Sequence, residues 1–241
     1  MLLSWLGGEP TLWPPLRSVG PALRALGLQL GLTTNGVHLD ETLCAHLVDN
    51  YAQVTVSVDG LARWHDQVRG APGLWAHLGT ALRRLAEARA GRGAGPRLRA
   101  NVVLMRSNLN EFAALCDYLA EWGVDEITFN GLGGLERPGD FFEREHLLPE
   151  HVLELRRTLP ELRRPVLDCG PGQGFLFVDE SGRVGPCSFT AFGHGRHISE
   201  LAGVAPLRAL PDLWRTRFAT DRPAPCADCR STQVFGKFAA P

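Results

Sequence analysis

The strongest constraint on the fold is a repeat of short apolar runs and helical patterns through the first hundred and thirty residues. Strand-like runs begin near Leu3, at Leu28 to Leu32, Gln53 to Val58, Leu98 to Met105 and Glu126 to Phe129. Helical spacing fills the gaps: Pro14 or Pro15 to Leu26, Asp40 to Asn50, Gly73 to Arg89, and Asn110 to Trp122. Strands that alternate with helices at this spacing build a parallel sheet or barrel, because a parallel neighbour needs a crossover and a helix supplies it. In such architectures ligands bind at the carboxyl ends of the strands.

The first of those ends is the most informative. Leu2 to Leu6 is stopped by Gly7-Gly8-Glu9-Pro10, where two glycines let the backbone come close to a ligand and the proline sets the exit direction. Glu9 is thereby left at a strand end, able to receive a cationic group or to serve as a solvated turn residue. Asn35 stands in an Asn-Gly turn, Ser57 and Asp59 close the third run, and Asn101 lies on the fourth. Arg69 suits a carboxylate, either of a ligand or of Asp59 or Asp66 in an ion pair. His65 is equally suited to a packed loop position. The stretch Ala90 to Pro96 is Gly-rich but precedes a strand, whereas a phosphate loop follows one, so it reads as a connector.

Formal net charge is −1 with the basic residues dispersed, which gives no footprint for nucleic acid or an anionic membrane. No apolar run approaches the ~18 residues of a membrane span, and the first residues lack a signal-peptide pattern. A cytoplasmic protein is expected.

Six cysteines are distributed unevenly: Cys44 and Cys116 on helical stripes that read as core, then Cys169, Cys187, Cys226 and Cys229 in the last third. The chain changes character there. After a Gly-rich segment from Gly131 to Gly139 and a helix from Pro149 to Leu159, Phe175 to Cys187 reads as a hairpin turning at Gly182. A helix from Pro211 to Phe218 then leads to Cys226-x2-Cys229. Four cysteines around turns are a metal set; the same four thiolates hold zinc or an iron-sulfur cluster, and on spacing alone zinc is the default.

These pieces, in this order, resemble the radical S-adenosylmethionine (SAM) enzymes that carry a C-terminal twitch domain, the short form of the SPASM auxiliary-cluster domain. The matches are Gly7-Gly8-Glu9-Pro10, Thr34-Asn35-Gly36, Val56-Ser57-Val58-Asp59-Gly60, His65 to Gly70, Asn101, and Cys169, Gly182, Cys187 and Cys226-x2-Cys229. The resemblance implies an incomplete parallel (β/α)6 barrel, its first βα unit missing, over residues 1–165 and a small α+β auxiliary domain over 166–241. It implies SAM bound by Gly7, Gly8, Glu9, Pro10, Asn35, Ser57, Asp59, Arg69 and Asn101, and one auxiliary [4Fe-4S] cluster on Cys169, Cys187, Cys226 and Cys229.

In that family a reduced cluster cleaves SAM to a 5′-deoxyadenosyl radical, which takes hydrogen from a peptide or a small molecule. Electrons come from a partner such as a flavodoxin or ferredoxin. The C-x-x-x-C-x-x-C segment that holds the catalytic cluster belongs one βα unit before Gly7 and is absent from the sequence. The expectation is an N-terminus lying further upstream, with a second [4Fe-4S] cluster there, since a barrel without its first strand exposes an unpaired edge. The competing expectation is a non-catalytic barrel that binds a partner and holds structural zinc.

Overall fold

The computed structural model describes residues 1–132, 139–158, 176–187 and 195–220. The chain divides into two compact units, Met1–Leu147 and Leu148–Pro241. The expected boundary at 165/166 falls outside the described residues. Among them, no helix is long and apolar enough to cross a membrane.

In the first unit, five strands form one sheet in chain order: β1 (Leu2–Trp5), β2 (Gln29–Thr34), β3 (Gln53–Ser57), β4 (Arg97–Leu104) and β5 (Glu126–Gly131). Every neighbouring pair is parallel. Between them run α1 (Leu16–Ala25), α2 (Glu41–Asn50), α3 (Ala62–Arg69), α4 (Leu74–Arg92) and α5 (Phe112–Glu121), with α6 (Gly139–Glu145) after β5. Sequential strand order with right-handed crossovers puts the connecting helices on one side of the sheet. Side chains that point to that side are closed off from solvent: Leu30, Leu32, Val54, Val56, Leu98, Ala100, Val102 and Leu104 are all buried. Leu43 and Leu47 of α2, Leu78, Leu82 and Leu85 of α4, and Leu115 and Leu119 of α5 complete this core.

The alternate residues are mostly polar, Leu2, Gly31 and Val103 being the exceptions. Ser4, Thr33, Gln53, Thr55, Ser57, Arg97, Arg99, Asn101, Glu126, Thr128 and Asn130 occupy the other face, as the period of two requires. The interior layers of closed barrels are ordinarily bulky and branched. This face is instead hydrogen-bonding along its length.

Local chemistry explains the helix ends. Asp40 caps α2 by accepting from the Leu43 N–H at 2.7 Å. Asp66 of α3 accepts from the N–H groups of Gly73 and Trp75 at 2.6 and 2.8 Å, so α3 caps the start of α4 from outside. Neither α3 nor α6 is evident from apolar spacing, because both are short and polar. α4 runs three residues past the expected Arg89, consuming part of the Gly-rich connector before it stops at Gly93. Cys44 is buried as expected, while Cys116 is half-buried on α5.

In the second unit α7 (Pro149–Thr158) is followed by β6 (Phe177–Val178), β7 (Arg183–Gly185), β8 (Arg196–His197) and α8 (Val204–Thr220). The hairpin β6–β7 is antiparallel. Its turn is held by the Asp179 carboxylate, whose Oδ1 accepts from Ser181 N, Ser181 Oγ and Arg183 N. A third strand, β8, extends it and is too short to register in the sequence. α8 starts well before Pro211, which lies inside it. The hydrogen bond lost there is offset by packing of Leu210 and Trp214 against Val184 of the hairpin.

Candidate functional site

The carboxyl edge of the parallel sheet gathers most of the expected site residues. At the end of β1, Gly7 and Gly8 adopt φ of +81° and +51°, and a Cβ on either would meet nothing within 4 Å. Their backbone groups therefore border open space, in a conformation that favours glycine. Pro10 begins a short 3-10 turn and is buried.

Glu9 is committed to the protein on both oxygens. Its Oε1 accepts from Thr11 N at 3.1 Å, Thr11 Oγ1 at 2.6 Å and Thr34 Oγ1 at 2.6 Å, and its Oε2 accepts from the Asn35 N–H at 2.7 Å. One carboxylate thus ties the loop after β1 to the loop after β2. A carboxylate has about four acceptor positions, two per oxygen, so the position still open is on Oε2. Burial pushes the Glu9 pKa up, and the hydrogen bonds from Thr11, Thr34 and Asn35 together outweigh it and hold the carboxyl below its ordinary value. Asn35 itself caps its turn by accepting from Val37 N at 2.9 Å. Gly36 follows at φ +79°, where a Cβ would lie 2.1 Å from Leu78 Cδ2.

At the end of β3 the structure brings Asp59 and Arg69 together. Arg69 pairs with Asp59 Oδ2 at 2.7 Å, the internal partnership left open by the sequence. The Val103 N–H donates to Asp59 Oδ1 at 3.1 Å, the Asp59 carbonyl accepts from Asn108 Nδ2 at 2.5 Å, and the Asp59 N–H donates to His65 Nδ1 at 3.2 Å. Every polar group of Asp59 is engaged, and the residue is 3% exposed. His65 is fully buried. Burial pushes its pKa down to about 4; Arg69 adds to the effect while Asp59 and Asp66 oppose it. The ring is neutral near pH 7, and because Nδ1 accepts, its hydrogen resides on Nε2, beside Trp75 with ring centroids 6.2 Å apart.

Asn108 was not evident from the sequence. It is buried, accepts from Met105 N at 2.8 Å and donates to Val103 O at 2.8 Å as well as to Asp59 O. The loops after β3 and β4 are therefore stitched together by a single amide. Its only sequence signal is an Asn shortly after a strand.

Ser57 and Asn101 are register partners on the polar face, and Thr128 pairs with Asn101 in turn. Asn101 Oδ1 accepts from Asn130 Nδ2 at 2.9 Å and lies 3.4 Å from Thr128 Oγ1. Thr128 and Asn130 extend the row beyond what the motifs indicated. One layer further from the edge are Thr55, Arg99 and Glu126. Of the expected metal ligands, Cys187 follows the hairpin and is half-buried. Cys169, Cys226 and Cys229 lie outside the described residues, and among the described ones no group of three or more metal-ligating side chains converges.

No family model matches the chain. It is 27% identical over 162 residues to the Fe-coproporphyrin III synthase of Methanosarcina barkeri, an alignment covering 64% of this chain and 39% of that protein. The fold superposes on SuiB of Streptococcus suis bound to S-adenosylmethionine, with a TM-score of 0.61 at 16% identity over 89% of this chain and 54% of that one.

These similarities agree with the resemblance to the radical SAM enzymes that the motifs carry.

The fold is also that of native anSMEcpe, solved with bound AdoMet and the Cp18Cys peptide. The TM-score is 0.66 at 17% identity, over 95% of this chain and 72% of that one. The chain spans about two fifths of the curated relative's length and about half of SuiB's.

Proposed function

We propose that this chain is the SAM-holding part of a cytoplasmic radical SAM enzyme that acts on a peptide or a small molecule, with one auxiliary [4Fe-4S] cluster in its second unit. The observation that supports this best is the composition of one sheet edge: open glycine backbone at the end of β1, and Ser57 beside Asn101 on the polar face, with Asn130 bonded to Asn101. These groups suit the hydrogen-bonding parts of SAM. The sheet is then read as five strands of the incomplete (β/α)6 barrel.

In this reading the backbone carbonyls near Gly7 and Gly8 accept from the amino group, with the open position on Glu9 Oε2 as a further acceptor. Ser57 and Asn101 meet the ribose hydroxyls or the carboxylate. Asp59 and Arg69 act one step removed, because their polar groups are spent on each other and on Val103, Asn108 and His65. They keep the β3 and β4 loops at a constant separation beneath the ligand. When bound, SAM and a reduced iron-sulfur cluster supply one-electron chemistry that hydrogen abstraction from an unactivated carbon requires. The protein positions the reactants and excludes water.

Cys169, Cys187, Cys226 and Cys229 are proposed to hold the auxiliary cluster, and a flavodoxin or ferredoxin to supply electrons. SuiB has been solved with its precursor peptide SuiA, which supports a peptide as one substrate class. Two measurements test the proposal. Calorimetric titration of SAM should give saturable binding that Ser57→Ala and Asn101→Ala each weaken. Anaerobic reconstitution should load iron and sulfide that Cys226→Ala loses and Cys44→Ala keeps. Tightly held zinc without sulfide, or no SAM binding, overturns it.

A further inference from the structure

We infer that the polar sheet face carries a subsite for a carboxylate of the substrate, built from Arg99 and Glu126 one layer below the row formed by Ser57 and Asn101, with Arg97 one layer further down. The inference rests on the reading that substrate meets SAM at this face.

Three observations carry it. The first is stoichiometric. Arg97 and Arg99 each place one terminal nitrogen on the single Glu126 carboxylate, Arg97 on Oε2 at 2.9 Å and Arg99 on Oε1 at 2.5 Å. Two guanidinium groups bring ten N–H donors and two charges to about four acceptor positions and one charge, so the cluster is left net positive with donors to spare. The remaining side chains of the face are neutral.

The second observation is the state of Arg99. It is the less exposed of the two arginines, and its Nε is closed off from solvent with no hydrogen-bond partner among the described residues. A guanidinium half-withdrawn from water that spends one terminal nitrogen on Glu126 favours a further anion at its accessible edge. Glu126 is itself 31% exposed and flanked by both cations, a carboxylate placed where another carboxylate fits.

The third is position. Arg99 is two residues before Asn101 on β4 and on the same face, and strand rise makes that about 7 Å. A molecule anchored at Arg99 by a carboxylate therefore extends along the sheet towards the row assigned to SAM, bringing a carbon a few bonds away under it. The chemistry is that of a propionate-like side chain or of a peptide's terminal or acidic carboxylate.

The test uses the full chain and 19F-observed titrations of 3-(4-fluorophenyl)propionate and its amide. An N-acetylated dipeptide ending in 4-fluorophenylalanine, as acid and as amide, provides the second source of the same group. The expected result is saturable binding of at least one acid, preferred over its amide by roughly tenfold or more. Arg99→Gln should abolish the preference and Arg99→Lys should restore only part of it, since a point charge lacks the fork. Glu126→Gln, which releases both arginines, should tighten acid binding. Arg97→Gln, at the more exposed partner, leaves a folded chain in which the preference still falls.

Equal affinity for acids and amides, or a Glu126→Gln variant that folds but binds acids no better, overturns the subsite. SAM titrated into the same samples separates the two levels of the argument. Retained SAM binding without acid preference removes the subsite alone, whereas loss of both in the wild-type chain removes the reading beneath it.

Discussion

Replacing Asp59 by alanine separates a brace from a ligand. The substitution leaves the Arg69 guanidinium, 28% exposed, without its 2.7 Å partner and leaves the Val103 N–H without an acceptor. Removing one member of a buried pair costs about 3–5 kcal/mol, because the other charge remains desolvated. Arg69 is partly solvated and recovers some of that, so the expectation lies at the lower end, near 3 kcal/mol. For domains of 150–250 residues each kcal/mol shifts Tm by about 2–4 °C, which gives a fall of roughly 6–12 °C. Arg69→Ala should cost less, since Asp59 keeps the Val103 and His65 contacts. The double variant should resemble Asp59→Ala alone, with a coupling energy of order 1–3 kcal/mol. Differential scanning calorimetry of the four proteins measures this, with SAM titration at a temperature where all are folded. If Asp59→Ala keeps the wild-type Tm and instead loses SAM affinity, the carboxylate touches the ligand and the bracing argument is wrong.

Further outcomes follow from the same geometry. His65, held neutral by burial with a pKa of about 4 against an ordinary 6.5, contributes stability that is complete above pH 6.5. That contribution is lost as pH falls towards 4, because the unfolded chain takes up the proton first; His65→Asn should flatten this part of a Tm-against-pH curve. The Glu9 carboxyl, lowered in the fold, stabilises the two loops above its ordinary pKa of 4.5 and ceases to as pH drops through the folded value. The difference in Tm between wild type and Glu9→Gln should therefore shrink on acidification. Gly36→Ala should destabilise strongly, by about 1–2 kcal/mol for the left-handed backbone plus about 1–3 kcal/mol for driving a Cβ into Leu78, visible as an earlier urea midpoint. Burial pushes the Cys44 thiol up to about 11 against the pull of Arg84, so native-state alkylation at pH 8 followed by peptide mapping should leave Cys44 unlabelled until the chain unfolds.

The βα alternation, the glycine-rich end of the first strand, the helix from Asp40 to Asn50 and the buried Cys44 were all legible from the residues, because periodicity and turn chemistry are local properties. So was the ordered set of motifs that points to the radical SAM proteins. Sequence also stated the alternatives correctly for Arg69 but had no means to choose, since an arginine and an aspartate ten residues apart meet or miss according to how a loop closes. Tertiary structure decided that question through the depth at which Asp59 is buried: a desolvated carboxylate takes the nearest cation. It likewise decided that Glu9 is spent on Thr11, Thr34 and Asn35, that Asn108 joins two loops, and that Thr128 and Asn130 continue the polar row. Each of these depends on which residues of distant strands fall opposite one another. Strand register is a pairing between segments, and a one-residue slip would have turned Arg99, Asn101 and Glu126 into the helix-covered core instead of the polar face.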